Sequence, residues 1–274
     1  MNELVFESAA DAVVSGDLGS LRRLLALDAS LVFARSGRPH RATLLHYVGA
    51  NGVEEERQRT PPNVVEVTRV LLDAGASVDA TADLYGGGST PLGLAVTSIY
   101  PVRAGVLVPL LDTLFEAGAS VEGLLMPALG NQRPEGAAWL ADHGAEVDLV
   151  SAAGLGRLDL VRTYIDVPGA RLGQAVVYAS RYGHIGIVAF LLERGADPGE
   201  QDANGFTGLH WAAHGGYVDI VRLLLAHGAP LEVQNRFGGT VLGQALWSAE
   251  NAPLEAHPEI ISLLRHHEDP RTPH

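Results

Sequence analysis

From Tyr217 the chain reads YVDIVRLLLAHGAPLE. Val218, Ile220, Val221, Leu224 and Leu225 recur three and four residues apart, the spacing of one buried helix face. Gly228 stops the run. Just upstream, LHWAAHGG carries small residues at Ala212 and Ala213, a second and shorter helix that packs closely on a neighbour and ends at Gly216. The end of this pattern returns along the chain as VLLDAGASVD from Val70, LFEAGASVEG from Leu114, WLADHGAEVD from Trp139 and FLLERGADPG from Phe190. A weaker copy is IDVPGA, with Gly169-Ala170, and LLALDAS, with Asp28-Ala29, is a degenerate one. Self-similarity of this kind predicts paired helices in a stacked array, because no copy can bury both of its faces alone.

The residues also carry a resemblance. Thr207, Leu209, His210, Ala212, Ala213, Gly216, Ile220, Val221, Leu224, Gly228 and Ala229 match the pattern of the ankyrin-repeat family. Gly208 stands where the family has proline, and Tyr217 where it has a second histidine. Thr90-Pro91-Leu92, Leu45-His46 and Gly183-His184 match in other copies. The chain thus resembles an all-α ankyrin-repeat solenoid of about eight copies, with a unit of roughly 33 residues. The resemblance implies one repeat domain over residues 1–268, capped by copies at 3–30 and 241–268, and a flexible tail at 269–274. It also implies short β-hairpin fingers between copies.

The finger lengths are uneven. From the Gly-Ala mark to the first buried residue of the next copy the count is 14 at Gly195 and at Gly228, and 17 at Gly75. It falls to 7 after Gly118, 5 after Gly144 and 7 after Gly169. Fingers are therefore expected near 31–43, 79–90, 197–207 and 231–240, with a notch at the middle copies. Three insertions lengthen the turn between paired helices: GANGVEEERQRTPPN, TSIYPVRAGV and WSAENAPLEAHPE. They are expected on the edge away from the fingers, with EEERQR a solvated loop and with Pro62 and Pro258 in the first turn of the helix that follows.

In the family, partners meet the finger tips and the inner surface of the first helices. The positions that resemblance exposes are small in the middle copies. Towards the C-terminus they include Tyr178, Arg181, Tyr182, Trp211, His214 and Trp247, with Tyr47 in the second copy. Only 6% of the chain is aromatic, so this concentration marks a candidate recognition surface of residue types that dominate binding hot spots. The bland alternative is that these rings pack on one another between copies.

Composition narrows the function. The 274 residues carry a formal net charge of −13, which disfavours nucleic acid and favours a basic partner. There is no cysteine, no basic-then-apolar N-terminal signal and no apolar run of membrane length, so a cytoplasmic setting is expected. The absence of lysine and abundant Ala, Gly and Leu suggest a GC-rich bacterial genome. No nucleophile elbow, zinc helix, phosphate loop or dinucleotide fingerprint occurs, and no cofactor, metal site or catalytic residue is assigned. His46 and His210 match the family's structural histidine. His143 and His227 sit at helix ends, and His257, His266, His267 and His274 read as a polar C-terminal group. The expectation is a non-catalytic, monomeric protein- or peptide-binding module, with self-association through an incompletely capped end left open. The rival is a small-molecule-binding or catalytic protein that uses a pocket at the middle copies, or Arg181 and His214 with a carboxylate such as Asp202 or Glu232.

Overall fold

The computed structural model describes residues 3–268; the expected tail, 269–274, lies outside them. The chain forms two compact units, one up to Glu146 and one from Val147 onward. In the first unit α1 (Glu3–Ser15) pairs with α2 (Leu18–Leu27), and a 3₁₀ segment (Leu44–Gly49) pairs with α3 (Val64–Asp73). Next, α4 (Pro91–Thr97) is followed by the short α5 (Tyr100–Arg103) and packs on α6 (Leu107–Glu116), and α7 (Leu125–Gly130) packs on α8 (Pro134–Asp142). The second unit stacks α9 (Leu149–Gly154) with α10 (Leu158–Tyr164) and α11 (Leu172–Arg181) with α12 (Ile185–Glu193). It continues with α13 (Gly208–His214) and α14 (Val218–Ala226), then α15 (Val241–Asn251) and α16 (His257–Glu268). The fold is the all-α ankyrin-type stack of helix pairs.

The recurrent Gly-Ala has a local cause. Each of these glycines, from Gly75 to Gly228, has a φ between 78° and 96°, a left-handed conformation that costs glycine least. The alanine that follows turns its N–H back to the last helical turn: Ala76 to the Leu71 carbonyl, Ala119 to Leu114, Ala196 to Leu191 and Ala229 to Leu224, at 3.0–3.1 Å. This is the six-to-one bond of a Schellman stop. The leucine that accepts it is fully buried in every case, and Ala119, Ala196 and Ala229 are buried too. The stop and the core are thus made by the same pair of residues. On the first helices Ala9, Ala10, Ala152, Ala212 and Ala213 are fully buried, as close helix packing requires.

Thr and His tie one copy to the next. Thr207 caps α13, and its hydroxyl and N–H meet the His210 Nδ1 at 2.9 and 3.2 Å. The other ring nitrogen of His210 lies 3.3 Å from the Gly239 carbonyl in the next copy. Thr43 and His46 repeat the device, with Nε2 at 3.1 Å from the Ser89 carbonyl. The structural role expected of both histidines is what the geometry shows. His257 plays a similar part, bridging the Leu254 N–H to the His214 carbonyl.

The fingers are leaner than hairpins. Strand pairing among the described residues amounts to two isolated antiparallel bridges, Ala82 with Ser89 and Gln201 with Thr207. Neighbouring fingers are joined by single backbone bonds, Asp83 N–H to the His40 carbonyl in the first unit and Arg236 N–H to the Asn204 carbonyl in the second, at 2.8 and 2.9 Å. The chain from Gly118 to Leu125 is a short turn, as its length predicts. Pro258 stands in the first turn of α16, but Pro62 precedes the Asn63 cap of α3 and lies outside that helix.

The EEERQR stretch departs in part from expectation. Glu55, Glu56 and Arg59 are exposed as expected of a solvated loop, but Glu54 and Arg57 are not. Glu55–Arg57 forms a turn of 3₁₀ helix, and the Arg57 side chain is only 7% exposed. Its guanidinium bonds Glu7 at 2.5 Å and Asp11 at 2.8 Å, both on α1. Glu54, equally buried, meets Arg38 and His40 of the first finger region. Burial raises the Glu7 carboxyl, but the Arg38 and Arg57 hydrogen bonds and charges reverse this and hold it below the usual range. The inserted loop therefore folds over the inner side of α1, clamped by charge pairs that bring their own hydrogen bonds.

Two outcomes follow for stability. Arg57→Ala removes one of the two arginines that meet Glu7 and Glu54 while Arg38 stays in place, so it should cost about 1–3 kcal/mol, read as a lower urea midpoint; an unchanged midpoint would show that the clamp is solvated. For His46, burial pushes the imidazole from 6.5 down to about 4, against the carbonyl bonds that favour its charge. The unfolded chain then takes up the proton first. The contribution of His46 is complete above pH 6.5 and is lost as pH falls towards about 4. His46→Gln should flatten the dependence of the urea midpoint on pH across that window; an equal slope in both proteins would refute the assignment.

Candidate functional site

Six of the seven expected contact residues lie in the second unit, on the first helices α11, α13 and α15 or, for Tyr182, at the C-terminal cap of α11. Small buried residues between them, such as Ala179 and Ala212, draw these helices together and turn the larger side chains away from the core. Trp211 is half-buried at the centre. Its Nε1–H donates to Asp202 Oδ2 at 3.0 Å, and the Arg181 guanidinium carbon stands 3.9 Å from its ring centroid. Cation and ring are thus in face contact with a carboxylate fixing the indole. Tyr178 is also half-buried, 6.0 Å from Arg181. Burial lowers the Arg181 pKa, opposed by Tyr182, Tyr178 and Asp202, and burial raises the Tyr178 hydroxyl. Tyr182 is half-buried and stacks beside His184, 6.3 Å between centroids.

His214 continues the row, 6.0 Å from Trp211 and 6.5 Å from Trp247 between ring centroids. Its Nδ1 meets the Ser248 hydroxyl at 2.8 Å. Burial, then the charges of His257 and Arg181, lower its pKa, so the imidazole is neutral near pH 7. Trp247 is 55% exposed. The structure adds two rings that the positional reading missed. Phe206 lies 4.8 Å from Trp211, and Phe237, on the next finger, lies 6.4 Å from Phe206 and is 72% exposed. The signal was there in NGFT and NRFGG, where an aromatic interrupts an otherwise polar turn. The result is a continuous aromatic strip from the finger tips to α15, partly packed ring on ring and open at both Phe237 and Trp247.

Tyr47 is corrected. It is not on an exposed face but 0% exposed in the first unit. Its ring packs edge-on against Phe6 and His40, Arg57 covers it at 5.9 Å, and its hydroxyl reaches Glu54 at 3.3 Å. Burial raises its pKa, with the Glu54 charge next.

The arrangement limits chemistry. Asp202 is committed to Trp211 and to the N–H groups of Asn204 and Phe206, at 2.8 and 3.0 Å. Glu232 is exposed. The hydroxyl against His214 belongs to Ser248, which is 0% exposed and out of a substrate's reach. Among the described residues no group of three or more His, Cys, Asp or Glu is placed to hold a metal; His274 lies outside them.

Comparison with known proteins agrees with the helix pairs. Residues 176–273 match the family model described as ankyrin repeats in three copies. The cyclin-dependent kinase inhibitor 2A of Monodelphis domestica is 32% identical over 96 residues, 33% of this chain and 56% of that protein, so the chain spans little more than half of that relative's length. The crystal structure of the human ASB11 ankyrin repeat domain aligns over 93% of this chain and 96% of that one, with 22% identity and a TM-score of 0.48. The family match supports the ankyrin-repeat family for the segment that carries α11–α16.

Trp211 and Trp247 should separate in mutation. Trp247→Ala removes an open ring and should shift stability by no more than about 0.5 kcal/mol. Trp211→Ala loses the Arg181 and Asp202 contacts and should cost roughly 1–3 kcal/mol. Equal urea midpoints for the two variants would contradict the packing described.

Proposed function

We propose that the aromatic strip of the second unit binds a protein or peptide segment without catalysing a reaction on it. The observation that carries this reading is the continuity of the strip with its ends open, Phe237 at 72% and Trp247 at 55% exposure. Large rings with a polar handle, held by Asp202 and Arg181, give contact area at little cost in side-chain entropy. The match to ankyrin repeats supports the same reading, since the family resemblance implies recognition through this face, and one relative is named as an inhibitor of kinases. A net charge of −13 favours a basic segment and speeds its encounter at low salt. The reading includes a monomer working in the cytoplasm; no helix among the described residues is long and apolar enough to cross a membrane.

The test is selection from a random peptide library on the immobilised full chain, in parallel with a Trp211→Ala, Trp247→Ala double variant of verified fold. Enriched peptides should be basic and should lose at least about tenfold in affinity on the double variant, as truncation of a hot spot does. Enrichment that is indifferent to both tryptophans would remove the strip as the binding face.

A further inference from the structure

The second finger of the first unit, near 79–90, stands beside a shortened connector, and the difference in length leaves a recess of about 540 Å³. Tyr85 and the glycines at the tip of the finger form one wall, and the connector with Glu122 forms the other. Leu94, Leu124 and Pro127 supply an apolar floor. The aromatic wall is fixed: the Tyr85 hydroxyl donates to Asn51 Oδ1 at 2.6 Å, and the Asn51 amide donates to Thr97 Oγ1 at 2.9 Å. Asp79 is fixed as well, accepting the Ser120 N–H at 3.1 Å. The lining contains two carboxylates, Asp79 and Glu122, and no lysine, arginine or histidine.

We infer that this recess takes the side chain of an arginine in a peptide segment. The apolar floor suits the methylene stem. The guanidinium is planar, carries five donors and stacks on aromatic faces, and it meets here a tyrosine ring, hydroxyl and amide oxygens and two carboxylates. A volume of this size has ample room for one long side chain. The site is separate from the aromatic strip and does not depend on it.

The test uses the full chain, ¹⁵N-labelled, titrated with N-acetyl-arginine N-methylamide. Its counterpart, N-acetyl-citrulline N-methylamide, has nearly the same shape and no charge. The arginine probe should shift the amide signals of Gly87 and Gly88 saturably, and the citrulline probe should bind at least about tenfold more weakly, as loss of charge-assisted hydrogen bonds requires. Glu122→Gln and Asp79→Asn, both at exposed positions, should each weaken the arginine probe about threefold or more, as should raising the salt from 0.05 to 0.5 M, by screening. Agmatine, a free alkylguanidinium, distinguishes the source of the group. If agmatine binds tenfold more tightly than the capped arginine, the peptide origin is wrong and the recess serves a small amine. Equal binding of the citrulline probe, or no shift at Gly87 and Gly88 with 20 mM arginine probe, overturns the cation site, and neither result bears on Trp211 or Trp247.

Discussion

The Gly-Ala stop that ends α3, α6, α8, α12 and α14 is the interaction on which the rest depends. A glycine at positive φ and a buried alanine return one N–H to a leucine carbonyl, and the chain leaves the helix in a defined direction. That direction sets where the next copy begins, and hence which faces of neighbouring helices meet. The Thr–His device then fixes the spacing, since one imidazole holds its own cap and the backbone of the following copy. Both devices are local, and in a repeat array local geometry repeated along the chain is tertiary structure.

What lies between the stops is free to vary, and the two units have used that freedom differently. In the first, an insertion between paired helices carries Arg57 onto Glu7 and Asp11 and closes the inner side of α1. In the second, the first helices keep their large side chains uncovered, and fingers of regular length bring Phe206 and Phe237 beside Trp211. Tyr47 and Trp211 occupy the same position in their repeats, one residue after the Thr–His device, yet one is core and the other a half-open ring. The position in the repeat determines where a side chain points. What it meets there is decided by the loops.

That division accounts for what was legible in the sequence. Helix order, stops, the structural histidines and the shortened connector after Gly118 were readable because each is written in contiguous residues. The burial of Tyr47 was not, because it requires Arg57 and Glu7, fifty positions apart in the chain, to meet. EEERQR looks like a solvated run on composition alone, and only the presence of Glu7 and Asp11 opposite makes burial of its arginine tolerable. On the strip, Tyr178, Arg181, Trp211, His214 and Trp247 were placed together by repeat phase, whereas Phe206 and Phe237 escaped because finger residues have no helical phase to follow.

The packing of the strip also bears on the proposed reading of its rings as a contact surface, since a ring can be packed on one face and open on the other. Arg181 covers the face of Trp211 and Asp202 accepts the N–H at its edge, which removes rotamer freedom before any partner arrives. Rings held in this way lose little further entropy on binding, so the internal contacts that look like competition for the surface instead prepare it. Trp247, anchored mainly through its neighbour His214, retains more freedom and more exposed area. A face with a fixed centre and a looser margin is suited to segments that share one anchor and differ around it.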